Sequence, residues 1–582
     1  MSAFIPQLDP DRSTRESDLA ATRGHYVYNH TYLSPLAMVE CLPFWEQPSW
    51  QWMVTVGETA LRVLANHAEN DHDLRRRNDT HAKHSLFTEF VERASGEVHH
   101  LTHIIKEAIR SNVVEGPPHT LESYAAMFRS IGLPPIHHDF HQDRVFAEMR
   151  VGGPNPVVLR RVDRPVDHFP VTQEHFARAI PGPDTLEAAG REGRLYLLDY
   201  RMLEGIENSD YPDIQKYVYA PLCLLVLHRS RKVLMPVAIQ CRQAPGPDNP
   251  IFTPDDGPSW QIAKTVVKVA DGNHHEAVTH LGRTHLFVEP FVIATRRQLA
   301  ANHPLHILLV PHFEGTLSIN NMAKGYLVDN RGPVDELLGG TIESTRHLTV
   351  RGVQEYPFDR VMLPDTFRAR GVDDPDLLPN YPYRDDALLF WGAIHRWVSG
   401  YLELYYHSDA DVRADTELAA WFDELVAADG GRVVGIGRSG PTCTREYLAD
   451  AATLIIFTAS VQHAAVNFPQ YDLMSYVPNM PLACYAPAPT SKHATHADYL
   501  AMLPPLNHAN LQMGLGALLG TIRYTTLGEY GEGRFEDPRV AEPLRRFLDE
   551  IRQIGETIEA RNRQRRPYEF LVPSGIPQSI NI

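Results

Sequence analysis

A chain of 582 residues with 43% hydrophobic and 22% charged residues carries enough apolar material for a large core, which excludes a disordered chain. Its formal charge of −17 excludes a nucleic-acid binder that depends on a basic footprint. The five cysteines (Cys41, Cys223, Cys241, Cys443 and Cys484) are dispersed with no CxxC spacing, which excludes a thiolate zinc site and predicts reduced thiols.

In chain order, the opening MSAFIPQLDPDRSTRESDL has no apolar signal-like run, and no uncharged apolar stretch is long enough to predict a membrane span. A cytoplasmic location is therefore expected. NHAENDHDLRRRNDTHAKH (66–84) is polar throughout and reads as a solvated linker or loop. LFTEFVERASGEVHHLTHIIKEAIRS (86–111) repeats apolar residues at threes and fours, which predicts an amphipathic helix. HHDFHQD (137–143) has metal-like residue types, but its polar, Pro-flanked setting reads as a solvated loop.

Between about 150 and 240, PVVLRRV, RLYLLDYRML and VLMPVAIQC are short and β-branched or aromatic, predicting a few strands. From about 257 helical periodicity dominates, over 258–300, 384–408, 414–428, 442–469 and 537–563. The fold class expected is mainly α, one large helical domain with a small strand-bearing subregion. RVVGIGRSG (432–440) contains a literal GxGxxG. A dinucleotide site would need a βαβ unit and a later acidic residue, and here the next helix runs straight into an apolar segment.

Two segments concentrate metal-ligand residue types. HEAVTHLGRTHLFVEPF (275–291) holds His280 and His285 five apart, with His275 and Glu276 a turn earlier. On a regular α-helix five residues leave side chains roughly 140° apart, so these two imidazoles share a metal only across a π-type turn. Otherwise they are surface histidines of an amphipathic helix. LIIFTASVQHAAVNFPQY (454–471) is apolar nearly all round ahead of His463, as in a buried helix. His463 and Asn467, about 40° apart, face one point there; the alternative is a core histidine satisfied by a carbonyl. The final GIPQSINI brings a main-chain carboxylate at Ile582. Three imidazoles, an amide oxygen and a carboxylate form an N/O set that suits a redox-active non-haem iron better than zinc.

WQIAKTVVKVADGNHHEAVTHLGRTHLFVEPFVIATRRQLAANHPLHILLVPHFEGTLSIN (260–320) resembles the signature region of lipoxygenases. QHAAVNFPQY (462–471), VPNMPLACYAPAPTSKHATHADYLAMLPPLNHANLQM (477–513) and the terminal GIPQSINI match further blocks of that family, and the resemblance runs from about 120 to 582. It implies a helical lipoxygenase-type catalytic domain over 121–582, preceded by an N-terminal helical extension or lid over 1–120 in place of the small β-barrel lipid-binding domain of plant and animal members. It places His280, His285, His463, Asn467 and the Ile582 carboxylate on the ligands of an iron, with manganese the other cation such donors accept. Glu276 and Gln470 fall on outer positions linking cavity and ligands.

By the same resemblance, Ala323 sits at the Ala/Gly position that accompanies S rather than R hydroperoxides. Leu327, Val334 and Leu519 match the apolar clamp around the reacting diene. Gly272, Leu337, Leu338 and Leu515 match positions that set cavity depth, and Gly272, small where several animal members are bulky, implies a deeper pocket. Met480 stands where some plant members carry an arginine, so no carboxylate-binding residue is identified. The implied reaction is hydrogen abstraction at a ferric centre from a cis,cis-1,4-pentadiene, then O2 addition to the opposite face. The implied partners are a polyunsaturated fatty acid and O2, with transient membrane contact compatible with substrate pick-up. Competing readings on the same scaffold are a hydroperoxide isomerase and a catalytically silent lipid-binding protein.

Overall fold

The computed structural model describes residues 3–77, 120–437 and 443–582, the side chains of 71–77 excepted. The expected helix at 86–111 lies outside the described residues. Helix α1 (Arg12–Arg23) is capped by the Asp11 carboxylate, which accepts the Thr14 N–H. Its buried Arg15 pairs with Asp9 at 2.7 Å and donates to Glu417 at 2.8 Å. A two-residue antiparallel pair follows, β1 (Tyr28–Asn29) with β2 (Met38–Val39).

Helix α2 (Trp50–Arg77) buries Trp52, Val56, Ala60 and Val63 at helical spacing. It runs on to Arg77, so the polar stretch from residue 66 is not a linker; residues 78–84 lie outside the described ones. The Asn66 and Asn70 side chains bond inward rather than to water. The Asn66 amide donates to Met127 O (2.9 Å), and its oxygen accepts the N–H groups of Arg129, Ser130 and Ile131. Asn70 donates to Met127 O and Asn510.

The 137–143 stretch is solvated at His138, His141 and Gln142, as expected, but not throughout. Phe140 is buried, its carbonyl accepts from the buried Lys268 ammonium (3.1 Å), and Lys264 donates to His141 O (2.6 Å) and Asp143 (2.7 Å), so that neither buried ammonium is left unsatisfied. Helix α3 (Asp143–Gly152) then leads to a five-stranded antiparallel sheet in sequence order, β3 (Arg160–Val162), β4 (Leu195–Asp199), β5 (Leu222–Leu227), β6 (Leu234–Gln240) and β7 (Ile251–Phe252). Alternate residues serve two cores: Leu195, Leu197 and Leu224 pack against Phe169 and Phe176, while Tyr196, Leu198 and Leu225 face the main core. Burial of both faces explains why these strands read as unbroken apolar runs.

The helical body is built on two long rods. The first is α4 (Pro258–His274), continuing through a π-helical stretch, His275–Leu286, into α5 (Phe287–Gln298). A buried network pins it. Arg150 of α3 pairs with Asp271 (2.5 Å), Tyr200 and Asn155 donate to the same carboxylate (2.6 and 2.9 Å), and Thr279 donates to Asn155 (2.8 Å). The short helix α6 (Thr316–Met322) packs against it, whereas the short α7 (Pro333–Leu337) does not; of the longer helices, α8 (Ile342–Gln354) and α10 (Thr416–Val426) also pack on it, and α9 (Pro382–Leu402) packs instead on the second rod. The second rod is α11 (Arg445–Phe457), a π turn at Thr458–Gln462, and α12 (His463–Asn467). By length and composition, the stretch Arg445–Met474 would suffice to cross a bilayer, yet 94% of its most apolar window is buried inside the protein. Helices α13 (Leu506–Thr521) and α14 (Ala541–Asn562) complete the layer. The described part of 432–440 forms turns with no strand before it; residues 438–440 lie outside the described ones.

Candidate metal centre

The π stretch resolves the angular problem of His280 and His285. With five rather than four residues between hydrogen-bonded partners, residues five apart come onto one face. Their Nε2 atoms lie 3.3 Å apart. The second rod brings His463 to the same point, its ring centroid 5.5 Å from that of His280 and 5.0 Å from that of His285. One nitrogen from each of the three rings lies within 4.8 Å of the others. Among the described residues this is the one such cluster able to share an ion.

All three rings are buried. Burial lowers the basicity of each; the neighbouring His280 adds to it for His285, pushed down to about 3, both other rings add to it for His463, which falls well below the imidazole range, and His275 adds to it for His280. Neutral rings present free lone pairs. Neither nitrogen of the fully buried His463 has a hydrogen-bond partner of good geometry, an expensive state unless something else binds there. A cation bound by nitrogen donors fits that vacancy in the bonding, so the residues present suit a metal.

The outer contacts orient these rings. The His285 Nδ1–H faces Asn320 Oδ1 at 2.8 Å, which leaves Nε2 as the inward lone pair. Asn320 in turn donates to Glu289 (2.7 Å), and Glu289 accepts the main-chain N–H of Val39 in β2 (2.8 Å). Residue order offered one signal for this relay, a carboxylate inside the otherwise apolar FVEPFVIA. His275, from the same π stretch, bonds the Val466 carbonyl (2.8 Å) and ties the two rods together. Glu276 lies 3.3 Å from His275 and 4.0 Å from His280. Asn467 donates to Leu519 O (2.9 Å), and its oxygen accepts from Gln470 (2.8 Å).

The last residues thread inward. His312 contacts Gln578 O (2.8 Å), Ser579 donates to Glu314 O (2.7 Å), Thr316 donates to Ile580 O (3.1 Å), and the Trp52 indole donates to Asn581 O (2.6 Å). Ile580, Asn581 and Ile582 are buried, and the main chain of Ile582 lies alongside the His463 ring.

The remaining positions divide. Ala323, Leu327 and Val334 share one small apolar cluster with Leu281, next in sequence to His280. Leu337 and Leu338 are buried in the main core, with Leu515 and Leu519 packed against it. Gly272 does not open the depth expected of it. A Cβ there would meet Leu482 Cδ2 at 2.9 Å, because Leu482 already fills the space. Met480 is fully buried.

A lipoxygenase family profile matches residues 137–576. Over 99% of its length the chain is 37% identical to linoleate 9/13-lipoxygenase of Pseudomonas aeruginosa, covering 92% of that protein. It is 36% identical to human polyunsaturated fatty acid lipoxygenase ALOX15B, over 80% of this chain and 69% of that one. The crystal structure of coral 8R-lipoxygenase superposes on the whole chain with a TM-score of 0.86 at 29% identity, covering 83% of that structure.

Proposed function

The chain belongs to the lipoxygenase family, and from that premise we propose that His280, His285 and His463 hold one redox-active non-haem metal, iron first and manganese second. As a lipoxygenase it is an oxidoreductase that adds O2 to polyunsaturated fatty acids. The observation that carries the metal reading is the convergence of three buried, neutral imidazoles, one of them with neither nitrogen in a hydrogen bond of good geometry. The Asn467 oxygen and the Ile582 main-chain carboxylate complete the proposed donor set, supported by the buried terminal segment beside His463.

When bound, such a metal supplies the one-electron acceptance that hydrogen abstraction from a 1,4-pentadiene requires. This chain's residues do the rest. Asn320 fixes the His285 tautomer, while Gln470 and the Leu519 carbonyl hold both ends of the Asn467 amide. The apolar helix around His463 excludes water. Leu327, Val334 and Leu519 form the proposed clamp around the reacting diene, with Leu337, Leu338 and Leu515 at the depth of the chain-binding cavity. The methyl group of Ala323 leaves the approach that yields S hydroperoxides. Residues 121–582 make up the proposed catalytic domain and 1–120 the proposed extension, whose described part packs on it through Trp52, Val56, Ala60 and Val63.

Metal analysis combined with oxygen uptake and conjugated-diene absorbance on linoleate and arachidonate tests this. The metal-replete protein consumes oxygen and forms the diene with at least one acid, whereas His463→Ala loses both metal and turnover. A metal-replete protein that oxidises no polyunsaturated acid overturns the activity; a His463→Ala variant that keeps metal and rate overturns the site.

A further inference from the structure

One short stretch ahead of α2, from Tyr32 to Val39, bonds to both ends of the element that carries Ala323. At its far end, Val39 of β2 donates to Glu289 (2.8 Å), which accepts from Asn320 of α6 (2.7 Å). At its near end, the Tyr32 hydroxyl donates to Lys324 O (2.8 Å), in the π turn Ala323–Leu327 that continues α6. Ala323 lies between these two attachments. Leu327 lies between Lys324 and Val328, whose carbonyl accepts Nε (3.0 Å) and Nη2 (2.7 Å) of Arg346 in α8.

The turn is poorly made to hold itself. Carbonyls at a helix end have no partner further along the helix. Gly325 in its middle adds backbone freedom that weakens helical structure. A Cβ at Gly325 would meet nothing within 4 Å, so the glycine is not there to admit a close neighbour. The position of the turn is therefore set from outside.

Tyr32 contributes its ring as well as its hydroxyl. The Lys324 ammonium lies 5.2 Å and the Arg346 guanidinium 5.4 Å from the ring centre. Apolar packing follows the same path. Leu281, next in sequence to His280, packs on the cluster of Leu33, Leu36 and Met38, as Tyr32 does. It also packs on the cluster of Ala323, Val328 and Ile342, as Leu327 does.

We propose that Tyr32 is a positioning residue for oxygen insertion. By holding the π turn at Lys324, it fixes where Ala323 and Leu327 stand and so decides how the hydroperoxide isomers are distributed. The proposal rests on the fatty-acid reading above, and it assigns Tyr32 no contact with substrate.

The test uses the metal-replete full chain with dispersed linoleate and arachidonate, the product isomers being separated by position and hand on a chiral column. Tyr32→Phe keeps the ring and loses the hydrogen bond; Arg346→Leu releases the Val328 carbonyl from the other side. Metal content is read alongside. The wild type forms one dominant isomer. In Tyr32→Phe the ratio of that isomer to the rest falls about fivefold, the equivalent of one hydrogen bond, at wild-type metal content. Arg346→Leu shifts the ratio in the same direction. A bond that merely stabilises the fold would lower the unfolding temperature and leave the ratio unmoved, and that result overturns the proposal. So does a wild type with no dominant isomer. If Tyr32→Phe does not fold, Arg346→Leu decides by the same ratio. A wild type that oxygenates neither acid gives no isomers at all, which strikes the fatty-acid reading and this proposal with it.

Discussion

Asn320 and Glu289 touch no proposed ligand position beyond His285, yet they determine which of its nitrogens faces the centre. Asn320→Leu keeps the size and removes the acceptor for His285 Nδ1–H. Metal retention against a chelator should fall by about ten- to a hundredfold, read by metal analysis after dialysis. Glu289 gives a second prediction. Burial, opposed only in part by the hydrogen bonds from Val39 and Asn320, pushes its carboxyl up from 4.5 to about 7. A raised acid favours the protonated folded state, so its contribution is whole below pH 4.5 and is lost as pH rises through about 7. The loss is on the order of 3 kcal/mol. Denaturant titrations at several pH values, in one metal state, should show this decline in wild type and a flatter profile in Glu289→Gln.

At the scale of elements, the irregularities in the helices position the chemistry. Regular α-helix would have kept His280 and His285 apart; the π stretch joins them, and the pairing with His463 follows from two rods crossing. Helix α13 shows the same dependence on close approach. A Cβ on Gly520 would lie 2.6 Å from the main-chain N of Tyr471, beside Gln470 and the Asn467-to-Leu519 bond. Helix propensity alone predicts that Gly520→Ala stabilises by up to about 1 kcal/mol. The packing predicts the reverse, a loss of roughly 1–3 kcal/mol with weakened metal retention, measurable by thermal unfolding and metal content. Periodicity revealed α4, α5, α9, α10, α11 and α14 because each buries one face or all of itself. It misjudged the end of α2, where asparagines that look solvated bond to the 127–131 main chain, a partner that only folding supplies.

For the whole molecule, the terminal segment joins distant parts. It is held by α2 through Trp52, by His312, and by Thr316 of α6, and it ends beside His463. Adding a few residues after Ile582 should force a buried end outward. Metal content and oxygen uptake should then be lost while far-ultraviolet circular dichroism is retained, whereas the conservative Ile582→Val should keep both. Residue order by itself determined the helical class, the strand-bearing subregion, the buried character of the His463 segment and the candidate donors, because these are local periodicities and residue types. It also posed the need for a π turn, since the angle between His280 and His285 is a property of one helix. Only the tertiary structure decided that residues 280, 285 and 463 share a point, that Asn320 and Glu289 stand behind His285, and that Leu482 fills the space beside Gly272. Those facts depend on which faces of separate segments meet, and that is settled by packing the whole chain at once.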